Sequence, residues 1–364
     1  MQEQAHGGNL SWAAALAGCP PDAILDFSAS ISPLGPPDSV ITAITSELGN
    51  LRNYPDPDYS DLRLALSHFH QIHQDCILPG NGSAELLTLV GRDLASLSAT
   101  VLVTPAFGDY YRALQAYDAR VLSLSVDLTT DLLINFNVHP RIGVSLDINR
   151  EESGLLINNP HNPTGKLFVW ESIVPYLEQF ALVVVDEAFM DFVPPEQEQS
   201  MIALVEEYEN LVVLRSLTKF YSLAGLRLGY AIAHPDRLAT WKSWRDPWPV
   251  NTLAVAAAIA ALKDIEYQVN SWEWLPTARK FLFDGLSSLP GLKPIPGAAN
   301  YLLVESEYST VELQRQLLQR YQILIRDCAS FKELGDRYFR VAVRSQLDHE
   351  TLLTALHFMT RNRQ

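Results

Sequence analysis

Lys219 is the residue in the strongest chemical company. It follows the apolar run Leu211–Leu214 in Arg215-Ser216-Leu217-Thr218-Lys219-Phe220, with Gly225, Arg227 and Gly229 close behind. A lysine held in a partly dry site has a lowered pKa, and its free amine can form a Schiff base with a carbonyl. An isolated loop lysine stays solvated, so its neighbours must carry the assignment. A second apolar run ends in Asp186-Glu187-Ala188-Phe189. A buried Asp there needs a cation or a donor, although a helix cap or a surface acid gives the same pattern. Asn158-Asn159-Pro160-His161-Asn162-Pro163-Thr164-Gly165 follows a third such run. Asn and Pro at that density mark a constrained loop, either a plain turn or one that aims polar groups off a strand end. In Pro79-Gly80-Asn81-Gly82-Ser83-Ala84-Glu85, glycines precede a helical pattern. Ser83 can cap, and the free N–H groups of a helix start suit an anion. Taken alone the segment reads equally as a turn. It lacks the third glycine of a dinucleotide fingerprint, which argues against a nucleotide-binding dehydrogenase.

The elements that must position these residues alternate. Val101–Thr104, Leu155–Asn158, Leu182–Asp186, Val212–Arg215 and Leu228–Ala233 read as buried strands. Glu85–Leu94, Tyr110–Tyr117 and Trp170–Phe180 read as helices between them. Such alternation predicts an α/β domain with a largely parallel sheet, and functional residues at the carboxyl ends of its strands. Beyond residue 250 come helices Thr252–Lys263, Trp272–Leu286, Val311–Arg320 and His349–Arg361, with strands Tyr301–Val304, Ile323–Arg326 and Tyr338–Val343. The chain is therefore divided into an N-terminal arm over 1–40, a large domain over 41–250 and a small α+β domain over 251–364.

Composition narrows the partners. The 364 residues are 48% hydrophobic and 19% charged, which excludes a mostly disordered chain. The net charge of −15 makes nucleic acid a poor partner, while a small anion can still be held where arginines gather. The longest apolar run, Leu253–Leu262, is far short of the ~18 residues of a membrane span. Leu16-Ala17-Gly18-Cys19 has the form of a lipoprotein box, but no Lys or Arg precedes Arg52. With three cysteines and no CxxC, a cytoplasmic protein without disulfides is expected. His68, His70 and His73 lack a further ligand set, so no metal site is expected.

In combination, the motifs resemble the pyridoxal-phosphate (PLP) enzymes of the aspartate-aminotransferase fold. Residues 158–165 are similar to the family's NNPxNPTG loop, 184–187 to its VDEA strand end, and 216–229 to its S-x-[ST]-K…G-x-R-x-G segment. The resemblance implies a type I fold: a large domain with a mostly parallel seven-stranded sheet and a smaller α+β C-terminal domain. It implies that Lys219 bonds the cofactor, that Asp186 pairs with the pyridine nitrogen, and that Asn162 donates to the phenolic oxygen. Tyr110 matches the ring-stacking aromatic. Ser83, Ala84, Ser216, Thr218 and Arg227 would hold the cofactor phosphate. Tyr54 resembles a tyrosine that reaches a neighbouring subunit's phosphate, which implies a homodimer. Phe189 stands where the family usually has Tyr.

Two branches fit. Histidinol-phosphate aminotransferases share the cofactor motifs. Threonine-phosphate decarboxylases of cobalamin synthesis share these and also resemble the start His6-Gly7-Gly8-Asn9, the stretch Leu25–Pro36, Phe189 and Phe339–Arg344. Ser30 and Ser32 stand where that branch usually has Asn. The resemblance implies a phosphorylated amino-acid substrate. Arg340 would clamp its carboxylate, and Arg326, His6, the Gly7 backbone and Ser32 its phosphate. Whether the Cα–H or the Cα–carboxylate bond breaks depends on how these groups hold the substrate.

Overall fold

The computed structural model describes residues 7–126 and 148–361. His6 lies outside them. A seven-stranded sheet runs in the order Ile77–Gly80, Gly229–Ala233, Leu211–Ser216, Leu182–Asp186, Ser153–Asn158, Ala99–Thr104, Val121–Ser125. Gly229–Ala233 is antiparallel to both of its neighbours, and the other pairs are parallel. The central strands are buried along their full length. That is why they read as unbroken apolar runs: both faces are covered, and period-two alternation has no solvent side to mark.

The sequence reading misses the two edge strands of this sheet. Ile77–Gly80 is disguised by Pro79 and Gly80, residues that a strand tolerates mainly at an edge. Val121–Ser125, at the other edge, is only half-buried. The expected helix over Trp170–Phe180 is reduced to a 3₁₀ turn at Trp170–Ser172 and one helical turn at Val174–Leu177. Pro175 suits the first turn of a helix, which is where it sits.

A second, antiparallel sheet has the order Arg326–Asp327, Tyr338–Ala342, Tyr301–Ser306, Leu292–Ile295. The expected strand Ile323–Arg326 is split at Ile325. Its first half, Ile323–Leu324, pairs in parallel with Leu25–Asp26 from the N-terminal segment. Its second half joins Tyr338–Ala342. The segment around Leu25–Asp26 is thus stitched to the C-terminal part. Helix Leu10–Ala17 is capped by Asn9, whose Oδ1 accepts from Trp12 N, and it ends at Gly18, where φ is 70°. It packs on helix Thr310–Tyr321. Helix Thr252–Lys263 packs on Asp38–Glu47 and Ser60–His70, two helices the sequence reading leaves unassigned.

Candidate active site

Asn158, Asp186 and Ser216 end three adjacent parallel strands. Because Gly229–Ala233 runs the other way, its first residue returns to the same edge, opposite Ser216. A cavity of about 410 Å³ opens there. Of the residues expected to bind cofactor or substrate, it brings together Gly7, Ser83, Ala84, Tyr110, Asn162, Asp186, Ser216, Thr218, Lys219, Arg227 and Arg340. Phe189 also lines it.

Lys219 lies on the single helical turn Leu217–Phe220 that follows the strand. Its Nζ is 3.5 Å from Ser216 Oγ and 3.4 Å from Thr218 Oγ1, and 5.2 Å from the Phe189 ring centroid. Burial outweighs the nearby Asp186 carboxylate and lowers the amine to about 8, helped by Arg227 and Arg340. Asp186 and Glu187 face opposite ways, as successive strand residues do. Asp186 accepts from Tyr110 Oη at 2.8 Å and from Ala188 N at 3.0 Å. Burial raises its pKa, and the Tyr110 bond and Lys219 oppose the shift. Glu187 turns away to the buried Arg215, which also meets Asp191 and Glu198.

The cavity corner around Ser83 and Arg227 is tight. The Ser83–Ala84 turn opens helix Gly82–Ala95, so the free N–H groups of a helix start face the cavity. A Cβ on Gly82, where φ is +72°, would sit 2.7 Å from Arg227 Nη2. A Cβ on Gly229 would sit 2.7 Å from Ser83 N. Arg227 itself holds φ at 58°, a left-handed conformation unusual for Arg, which aims its guanidinium back at Gly82. These glycines leave room for a phosphate among backbone amides, hydroxyls and one guanidinium. With a buried lysine whose pKa is lowered and a buried carboxylate on the same cavity wall, the residues fit pyridoxal phosphate.

The loop reading of 158–165 resolves into a hinge of amides. Asn158, which the sequence reading leaves without a role, donates from Nδ2 to Asp186 O at 2.6 Å and accepts from Asn162 N at 2.6 Å. It locks the Asn162 loop to the Asp186 strand end. Its signal was its place at the end of a predicted strand, four residues before Asn162. Asn162 Oδ1 accepts from Arg340 Nη1 at 2.5 Å. The Arg340 guanidinium stacks on Tyr301 at 4.7 Å, and its buried Nε has no hydrogen-bond partner among the described residues.

Other expected residues lie elsewhere. Ser32 is buried outside the cavity lining: its Oγ accepts from Tyr267 Oη at 3.3 Å, and its carbonyl from Ser222 Oγ. Ser30, two residues earlier, lines the cavity instead, 5% exposed, with a hydroxyl that has no partner among the described residues. Arg326 is buried beside the cavity, in a cleft with Gly7, Ser28 and Gln314, and donates to Ser330 Oγ at 2.8 Å. Tyr54 lies away from this cavity, 80% exposed and packed on Trp248 at 4.6 Å. His70 bonds Tyr230 Oη at 2.7 Å, and His73 accepts from Asp75 N.

Comparison with known proteins agrees with this geometry. The profile of the family described as aminotransferase class I and II matches residues 22–359. The chain is 39% identical to the threonine-phosphate decarboxylase of Salmonella typhimurium, over 97% of this chain and 95% of that protein. It is 30% identical to the histidinol-phosphate aminotransferase of Methanothermobacter thermautotrophicus, over 92% of this chain and 88% of that protein. The structure of the histidinol-phosphate aminotransferase from Sinorhizobium meliloti in complex with pyridoxal-5'-phosphate superimposes with a TM-score of 0.86 at 23% identity, covering 98% of this chain and 95% of that one. The chain belongs to the class I and II aminotransferase family and is a pyridoxal-phosphate-dependent enzyme.

Proposed function

We propose that the protein decarboxylates O-phospho-L-threonine to (R)-1-aminopropan-2-yl phosphate, the reaction that the resemblance assigns to cobalamin synthesis. The observation that carries this reading is the joining of the N-terminal segment to the cofactor cavity. Gly7 and Ser30 share its wall with Lys219 and Arg340, and Gly7 also borders the cleft of Arg326. A substrate with a carboxylate and a phosphate needs two cationic ends, and Arg340 and Arg326 supply them on adjacent strands, paired across the ladder. The 39% identity to a threonine-phosphate decarboxylase supports the same branch.

Bound pyridoxal phosphate supplies an electron sink for the carbanion left at Cα. The protein's own groups do the rest. Asp186 presents a carboxylate, fixed by Tyr110 and the Ala188 amide, for the ring nitrogen. Asn162 has its oxygen engaged by Arg340, which leaves its Nδ2 as the donor to the phenolic oxygen. Ser83, Ala84, Ser216, Thr218 and Arg227 would hold the cofactor phosphate. Arg340 fixes the substrate carboxylate and so decides how the Cα substituents stand. When the Cα–carboxylate bond breaks, carbon dioxide leaves and a proton must take its place at Cα. Lys219, with an amine that titrates at about 8, is the group placed to hand over that proton.

The runner-up is transamination of histidinol phosphate. It is favoured by relatives of that activity at 30% identity. The reactions differ in stoichiometry: decarboxylation returns the cofactor unchanged, whereas transamination needs a keto acid to recycle it. Cofactor-loaded protein incubated with O-phospho-L-threonine and no keto acid should release carbon dioxide over many turnovers. Turnover only with histidinol phosphate plus 2-oxoglutarate would establish the runner-up. We also propose a homodimer in which Tyr54 serves the neighbouring site, and a cytoplasmic location, where Cys19, Cys76 and Cys328 remain the free thiols seen here. No helix among the described residues is long and apolar enough to cross a membrane.

A further inference from the structure

We propose that Ser28 is a positioning residue that locks the N-terminal arm and Arg340 into a single substrate clamp. The inference rests on the reading of the cavity as a site for an anionic amino acid. Ser28 is 2% exposed and borders both the cofactor cavity and the Arg326 cleft.

Its bonds run in three directions. Towards strand Leu25–Asp26, Ser28 N and Ser28 Oγ both donate to Asp26 Oδ1, at 2.7 and 2.6 Å. The hydroxyl's single hydrogen is thereby committed, and its lone pairs are left to accept. Towards the arm, Gly8 N donates to that Oγ at 2.8 Å. Towards the substrate clamp, Arg340 Nη2 reaches the Ser28 carbonyl at 3.4 Å. The same carbonyl is what a Cβ on Gly7 would strike, at 2.3 Å. The arm therefore approaches as closely as glycine permits, against the atom that also meets Arg340.

The platform beneath is fixed on both sides. Phe27 N donates to Leu324 O at 2.7 Å, and Ala342 N donates to Phe27 O at 2.9 Å. The Asp26 carbonyl accepts from Arg344 Nη1 at 3.1 Å. Segment 26–28 cannot shift without moving the strand that carries Arg340. An Asp26–Ser28 turn that served folding alone would need neither the Gly8 bond nor the close packing of Gly7.

The test uses the cofactor-loaded full chain with Ser28→Ala, Gly7→Ala, the double variant and Arg340→Ala. Ser28→Ala leaves the Gly8 N–H without its acceptor. Hydrogen exchange of the peptide spanning residues 7–12 should speed up by about fivefold or more, while the cofactor's visible absorbance is retained. Reciprocity requires Arg340→Ala to loosen the same peptide. With O-phospho-L-threonine, Ser28→Ala and Gly7→Ala should each raise KM by about tenfold with kcat within about twofold, and the double variant should be no worse than either. Unchanged arm exchange in Ser28→Ala or Arg340→Ala overturns the inference, and so do KM effects that multiply in the double variant. Exchange is read without turnover, so a wild type inert towards O-phospho-L-threonine would overturn the proposed reaction and leave the Ser28 link to be decided by exchange alone.

Discussion

Arg340 and Asn162 join the four-stranded and seven-stranded sheets: Arg340 Nη1, on strand Tyr338–Ala342, donates to Asn162 Oδ1 at 2.5 Å, in the loop that leaves the seven-stranded sheet. One guanidinium thus holds the Asn162 amide oxygen with Nη1 and reaches the Ser28 carbonyl with Nη2 at 3.4 Å. Lys at this position would keep the charge but lose the planar fork. Arg340→Lys should lower kcat/KM by about 100-fold, about 2.7 kcal/mol of transition-state stabilisation. Steady-state kinetics will show it; a loss within about threefold would mean that charge alone suffices.

Lys219 carries the pH dependence of cofactor capture. Its amine is lowered to about 8 from the ordinary 10.5, mainly by burial. At pH 7 about one molecule in ten then carries a neutral, nucleophilic amine, against fewer than about one in a thousand for a solvated lysine. The rate at which cofactor-free protein takes up pyridoxal phosphate should rise through pH 8 and level off above it. Lys219→Ala should bind without covalent attachment. Borohydride followed by peptide mass mapping should mark Lys219 in the wild type, and a mark on another lysine would refute the role.

Phe189 fills its position without a hydroxyl. Its ring stands edge-on to Tyr301, 5.0 Å between centroids, and faces the Lys219 amine. Phe189→Tyr would add a donor beside the cofactor's anionic oxygen, and such a bond favours the ionised form. The midpoint of a visible-absorbance pH titration of the cofactor-loaded protein should fall. A midpoint that stays or rises would mean the new hydroxyl points elsewhere.

Glu187 and Asp191 make folding stability fall with rising pH. Burial raises Glu187 from 4.5 to about 7 and Asp191 from 3.8 to about 6, against the opposing pull of Arg215. For acids raised in the folded state, the unfolded chain gives up its protons first. Their contribution is complete below the unfolded values and is lost as pH rises through the folded ones, here between about pH 4 and 7. Glu187→Gln should flatten that slope by about 1–3 kcal/mol. Thermal unfolding at pH 5 and pH 8 checks it: the variant should gain on the wild type at pH 8, and parallel curves would remove Glu187 from the account.

The cofactor half of the site was readable because its chemistry is written in contiguous motifs. Lys219, Asp186, Asn162 and Arg227 each sit one turn or less from a buried strand, so their order in the chain survives as their order along the sheet edge. The substrate half was less legible. Ser30 and Ser32 both stand where the threonine-phosphate decarboxylase branch usually has Asn, and of the two the resemblance assigned Ser32 alone to the substrate phosphate. In the structure Ile31 N bonds Ala29 O across a tight turn, so Ser30 meets the cavity and Ser32 meets Tyr267. Ser30→Ala should therefore raise KM for the phosphorylated substrate, whereas Ser32→Ala should leave KM within about twofold. The reverse order in a kinetic comparison would return the substrate contact to Ser32. Asn158 opened the quoted loop motif but had no role in the sequence reading, because its work is done on backbone atoms, which a motif does not spell out.

The parallel pairing of Leu25–Asp26 with Ile323–Leu324 brings two distant stretches of the chain together. On the proposed roles, the groups that one protomer turns to its own cofactor lie between Ser83 and Arg227, while Gly7, Ser30, Arg326 and Arg340 come from either side of that span. Appetite for a substrate and possession of a reagent are thus inherited from separate stretches of sequence. A lineage could exchange the outer stretches and acquire a new diet without disturbing the chemistry between them.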